Sequence, residues 1–92
     1  MNNYELVAIL SQSVTDELKD TFVNKMKELI QANGAVENVE EWGRKTLAYE
    51  IKKQTEGFYI LFTFNSKPDA IAELERILRL DEIVLKHMII KK

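Results

Sequence analysis

Apolar residues open the chain as a short run, Tyr4–Leu10 (YELVAIL), apolar on both faces after Glu5. Such a run predicts a central strand. From Leu18 the spacing changes: Leu18, Phe22, Met26, Leu29 and Ile30 fall on one stripe of an amphipathic helix. Ser13 or Thr15 can cap its start. Asp16 and Glu17 then stand in the first turn, where the helix dipole favours anions. Asn33-Gly34 closes the helix, with Gly34 in the left-handed position after the C-cap.

Ala35–Lys53 reads as a long, irregular strand with Val36, Val39, Leu47, Tyr49 and Ile51 as its apolar residues. Trp42-Gly43 breaks the alternation, and a Gly within a strand marks a bulge or a close backbone approach. Gln54-Thr55-Glu56-Gly57 predicts a hairpin turn into Phe58–Phe64 (FYILFTF). There Phe58, Ile60, Phe62 and Phe64 share one face, with Tyr59, Leu61 and Thr63 on the other. Ser66-Lys67-Pro68-Asp69 starts a second helix, with Pro in the first turn and a stripe of Ile71, Leu74, Ile77 and Leu78. Ile83–Ile90 (IVLKHMII) is the last strand.

The order β-α-β-β-α-β predicts one domain over residues 1–92, of class α+β, with the ferredoxin-like split βαβ topology. Right-handed crossovers put both helices on one face of a four-stranded antiparallel sheet, with the first and third strands central. Val7, Ile9, Tyr59 and Leu61 then lie on the uncovered face. A sheet open to water on one side alternates polar residues there. An apolar stripe on that face points to a cover, whether protein, nucleic acid or a second copy.

Composition narrows the chemistry. Of 92 residues, 46% are hydrophobic and 30% charged, an ordinary globular balance. Cys is absent, which removes disulfides, thiolate zinc sites and cysteine nucleophiles. A single His removes histidine metal clusters. No apolar run approaches the ~20 residues of a membrane helix. Met1-Asn2-Asn3-Tyr4-Glu5 has no basic region of the signal-peptide kind, so the expected location is cytoplasmic.

Net charge is −2, from 13 basic and 15 acidic residues, but the charges are segregated. Segment 44–53 (RKTLAYEIKK) carries Arg44, Lys45, Lys52 and Lys53 against Glu50 alone. Lys86, Lys91 and Lys92 gather at the end, while acids concentrate at 16–20, 37–41, 69–75 and 81–82. Distribution, more than the sum, decides whether a surface attracts phosphate.

Catalytic constellations are missing. Ser11, Ser13 and Ser66 have no nucleophile elbow, and His87 has no partner imidazole. Neither phosphate-binding glycine motif is present. The chain is expected to be no enzyme and to need no cofactor or metal. The common RNA-recognition module shares the topology, but Glu56–Thr63 lacks its leading basic residue and its second aromatic. A small-molecule regulatory domain of this topology, self-associating, is the alternative class. Its usual glycine is absent from the loop Ser11-Gln12-Ser13-Val14.

Trp42-Gly43-Arg44-Lys45-Thr46-Leu47-Ala48-Tyr49-Glu50-Ile51-Lys52 closely resembles the signature of the bacterial small-subunit ribosomal protein six family. The resemblance extends to Tyr4-Glu5, Gly57-Phe58-Tyr59 and Val84-Leu85-Lys86-His87-Met88, and so spans the chain. It implies a ribosome-associated structural protein. Such a protein binds the central domain of small-subunit ribosomal RNA as a heterodimer with small-subunit protein eighteen, with no membrane and no small-molecule substrate involved.

On that basis the expected RNA contacts are Arg44, Lys45, Lys52, Lys53, Lys86, Lys91 and Lys92, with Tyr4 and His87 as secondary contacts. Arg44 can grip phosphate bidentately, and the lysines act as flexible point charges. Contacts of this kind position RNA without reading its sequence. The expected protein-partner contacts are Val7, Ile9, Trp42, Tyr59 and Leu61, since aromatic residues are enriched at interface cores.

Overall fold

The computed structural model describes residues 1–92. Six elements follow one another: β1 (Asn2–Ser11), α1 (Asp16–Gln31), β2 (Gly34–Ile51), β3 (Gln54–Ser66), α2 (Ala70–Leu80) and β4 (Val84–Lys91). The strands form one antiparallel sheet in the order β2-β3-β1-β4. The predicted ferredoxin-like architecture is therefore the one observed, with β1 and β3 central.

Alternation explains which face is covered. Along β1, Tyr4, Leu6, Ala8 and Leu10 are buried, and along β3, Ile60, Phe62 and Phe64 are buried. These pack against Phe22, Val23, Met26 and Ile30 of α1 and Leu74 and Leu78 of α2 in one core. Phe22 meets Phe62 edge to face at a centroid distance of 6.3 Å. Each such side chain stabilises the fold by about 1.5–3 kcal/mol relative to exposure.

The helix boundaries follow local chemistry. Thr15 caps α1, its hydroxyl accepting from the Leu18 N–H at 3.2 Å. Leu18 itself stays about half exposed, and Val23 takes its place in the buried stripe. Gly34 has a role different from the predicted cap. It starts β2 with an ordinary φ, and a Cβ there would collide with the Asn65 carbonyl of β3. Close approach of two strands, rather than a left-handed turn, requires glycine. Pro68 lies in the turn before α2, where its carbonyl accepts from Ile71.

β2 departs furthest from regularity. Its pairing with β3 slips between Val36 and Asn38, between Glu41 and Gly43, and between Thr46 and Ile51. Gly43 sits at φ +84° at the second slip, the bulge that its position predicts. The hairpin turn is not at 54–57. It is at Lys52-Lys53, with Ile51 paired directly to Gln54. Both lysines have left-handed backbones, φ 49° and 64°. A two-residue turn with both centres left-handed matches the twist of the strands but favours Asn-Gly. Lysine there costs roughly 1 kcal/mol per residue.

Candidate functional site

Strand register assembles the open face in rows. Ile9 lies between Tyr59 and Lys86, and Val7 between Leu61 and Met88. Glu5 lies between Thr63 and Ile90. Val7, Tyr59 and Leu61 are half-buried, while Met88 and Ile90 on the edge strand are about half exposed. Trp42, thrown to this side at the β2 bulge, stacks on Tyr59 at 6.5 Å with an interplanar angle of 17°. Its indole remains 44% exposed, and the Lys45 ammonium lies 5.2 Å from the ring centre. A row of aromatic and aliphatic groups on the sheet face that carries no helix has the composition of a docking surface.

Part of the cover comes from the chain itself. The slip between Thr46 and Ile51 throws residues 47–50 out of the ladder and across β1. Leu47 joins Ile9 and Leu85 in a second small cluster, with Ile51 and Tyr59 against it. Ile9 is consequently only 6% exposed. It supports the surface from below, and as a direct partner contact it is corrected. A groove of about 190 Å³ remains between this cover and the sheet, lined by Val7, Ile9, Leu47, Tyr49, Tyr59 and Met88 among others. Tyr49 stands 61% exposed at its rim, where its hydroxyl accepts from Lys86 Nζ at 2.8 Å. The same ammonium lies 5.3 Å from the Tyr49 ring centre.

Met88, Ile90, Leu47 and Tyr49 were not among the expected partner contacts. Met88 and Ile90 alternate with His87 and Ile89, so β4 parity separates the two sides. Which side faces the open surface depends on pairing with Val7, a long-range fact. Leu47 and Tyr49 reach the face only because β2 leaves the ladder.

The expected RNA contacts divide into three groups. Arg44 turns to the other side, its Nε donating to the Gln12 carbonyl at 3.1 Å and Nη2 to the Val14 carbonyl at 2.9 Å. It ties the β1–α1 loop to β2 and lies 5.9 Å from the Phe58 ring centre. That engagement uses two of the five guanidinium N–H donors and fixes the side chain against the loop, so Arg44 serves first as a structural tie. Tyr4 is corrected outright: it is 6% exposed and stacks on Phe64 at 5.6 Å, so its ring is core. Its alternation with Leu6 and Ala8 places it on the helix side.

The remaining cations occupy both ends of the sheet. Lys45, Lys52, Lys53, Lys86 and His87 lie toward the end where Ser11 pairs with Gly57. Lys91 and Lys92 lie at the opposite end, beside Tyr4 and Asn3, with the Lys92 N–H donating to the Asn3 carbonyl at 2.9 Å. Acids stand among them: Glu5 lies on the open face, Glu40 pairs opposite Leu61, and Glu56 lies in the ladder beside Gly57, while others are ion-paired. Glu41 accepts from Lys19 at 2.8 Å, and with Asp20 it raises the Lys19 pKa above its ordinary value. Asp81 pairs with Lys25 at 3.6 Å. No group of three or more His, Cys, Asp or Glu could hold a metal ion. No helix is long and apolar enough to cross a membrane.

Comparison with known proteins agrees with this architecture. The family described as ribosomal protein S6 matches residues 3–91. The chain is 48% identical over 91 residues to small ribosomal subunit protein bS6 of Alkaliphilus metalliredigens, covering 99% of this chain and 97% of that one. It is 42% identical over 90 residues to the protein of the same name from Clostridioides difficile, covering 98% of each. The crystal structure of 30S ribosomal protein S6 from Thermotoga maritima superposes with a TM-score of 0.93 at 28% identity, over 99% of this chain and 87% of that one. An Arabidopsis thaliana protein, At3g17210, shares the fold alone, at a TM-score of 0.58 and 14% identity.

Proposed function

The chain belongs to the ribosomal protein S6 family, and from that premise we propose that it binds the central domain of small-subunit ribosomal RNA jointly with small-subunit protein eighteen. The coarse role follows from membership itself: a structural, non-enzymatic component of the small ribosomal subunit. On the ribosome its place is cytoplasmic.

One observation carries the finer reading. The open sheet face presents Trp42, Tyr59, Leu61, Val7, Met88 and Ile90 together, with unpaired lysines at its margin. An apolar centre rimmed by cations is suited to a protein partner that is itself bound to RNA. The half-exposed apolar row takes the protein, and Lys45, Lys52, Lys53 and Lys86 neutralise phosphate beside it. A chain of net charge −2 gains little non-specific attraction to RNA by itself. Joint binding makes the second contact effectively intramolecular and raises overall affinity.

Filter binding to a central-domain RNA fragment, with and without protein eighteen across a salt series, tests the reading. Tight, salt-sensitive binding only with the partner is the expected result. Equal binding without the partner removes the joint mode, and no binding with an active partner removes the function.

A further inference from the structure

Beyond the open face, one groove has a different character. About 290 Å³ in volume, it lies at the Ser11–Gly57 end of the sheet, against β4 and the last turn of α2. Its walls are Lys52 from the hairpin turn, Leu78 and Arg79 from α2, and Val84, Leu85, Lys86 and His87 from β4. The hairpin turn and the α2–β4 corner, distant in sequence from each other, thus bring three cations and an imidazole around one concavity, and no carboxylate lines it.

The cations are available. None of Lys52, Arg79 and Lys86 forms an ion pair with a carboxylate. Lys86 is directed by the Tyr49 hydroxyl, which accepts only one of its three ammonium protons. Arg79 stands exposed in the final helical turn, where a cation is favoured by the helix dipole. The left-handed backbone of Lys52 and Lys53 matters as well. A strained turn persists where surrounding structure or function holds it, and this one holds Lys52 at the groove. Glu50 is the acid nearest the turn in sequence, and it does not line the groove.

We infer that this groove is a cradle for the phosphodiester backbone of RNA, with Lys52, Arg79 and Lys86 as its cationic walls. The inference rests on the proposed RNA binding and adds to it a location and a residue, Arg79, that the basic segments of the sequence do not contain. A planar guanidinium grips phosphate oxygens through two parallel N–H donors, and flanking ammonium groups neutralise the same or adjacent phosphates. Backbone binding of this kind fixes register on RNA without reading bases. Lys91 and Lys92, at the far end of the sheet, lie outside the cradle.

The test is the salt dependence of RNA binding by the chain together with protein eighteen. Each phosphate contact contributes about 0.7–0.9 to the slope of log affinity against log salt. The double variant Lys52→Ala with Arg79→Ala is expected to lower that slope by about 1.5. The double variant Lys91→Ala with Lys92→Ala, at expected RNA contacts outside the groove, serves as the comparison and is expected to change it less; an equal drop from both pairs overturns the cradle as the main phosphate site. Both pairs are exposed, and a thermal melt matching the parent confirms the fold in each. A parent slope retained by the cradle variant overturns the inference while leaving RNA binding intact. A cradle variant that loses protein eighteen but keeps its RNA slope also overturns it, assigning the groove to the protein. A parent complex that binds no RNA overturns the functional reading and the inference with it.

Discussion

The two faces of the sheet are built from the same strands and differ in what their residues are for. On the helix side, Leu6, Ala8, Ile60, Phe62 and Phe64 are fully buried, and of the large apolar side chains of β1 and β3 only Phe58, at the end of the row, is partly exposed. On the open side, the neighbours of those residues in the same strands, Val7, Tyr59 and Leu61, are only half-buried. β4 leaves Met88 and Ile90 about half exposed there. A core residue that is already covered contributes its full burial energy to folding. A half-exposed one holds some of that energy in reserve for association. Substitutions that damage the first face should therefore unfold the protein, and those on the second should spare the fold and weaken assembly.

The largest expected effect is on the core. Phe62→Ala should destabilise by about 3–5 kcal/mol. That is a large part of the total for a domain of this kind, on the order of 5–15 kcal/mol. Urea denaturation measures it, and a loss below 1 kcal/mol would mean the helices do not close on β3 as described. Leu47→Ala acts at the boundary between the faces, since it uncovers Ile9. A cost of about 1–2 kcal/mol is expected there, below the range for a fully enclosed leucine. Denaturation of the purified variant reads it directly.

Trp42→Ala sharpens the comparison most. Its indole is 44% exposed, so stability should fall by less than about 1 kcal/mol. Affinity for protein eighteen should fall roughly tenfold or more, as for an aromatic hot spot. A stable variant with unchanged affinity would detach Trp42 from the interface. The smallest effect is expected at the turn. Lys53→Gly should raise stability by up to about 1 kcal/mol, because glycine accepts φ 64° without steric cost. A melting temperature that falls would show that the lysine side chain makes a compensating contact.

How far each feature was legible in the sequence follows from the range of the forces involved. Element order, an α1 cap at Ser13 or Thr15 and the helix-side set Ile60, Phe62 and Phe64 depend on local spacing, and spacing alone predicts them; the structure selects Thr15. Tyr4 was equally legible, since it alternates with Leu6 and Ala8. Only its place in the family resemblance draws it toward RNA. The turn is different. Lys52-Lys53 has neither Asn nor Gly, so the Gly57 signal a few residues later takes precedence, although Gly57 sits buried inside β3 opposite Ser11. Arg44 reads as a phosphate ligand because nothing local reveals the Gln12 and Val14 carbonyls waiting for it. Likewise the basic groove joins Lys52, Arg79 and Lys86 only after the chain has folded, and the fold of residues 47–50 over Ile9 requires β1 in place.

The three methionines provide the most direct test, because they sample different regions: Met26 in the helix-side core, Met88 on the open face and Met1 at the chain start. With 13C-methyl-labelled methionine, protein eighteen would be titrated into the chain and the methyl resonances followed. The account predicts that the Met88 signal shifts or broadens with the partner while the Met26 signal keeps its position. A bound partner that leaves Met88 unmoved would contradict the assignment of the open face as the docking surface.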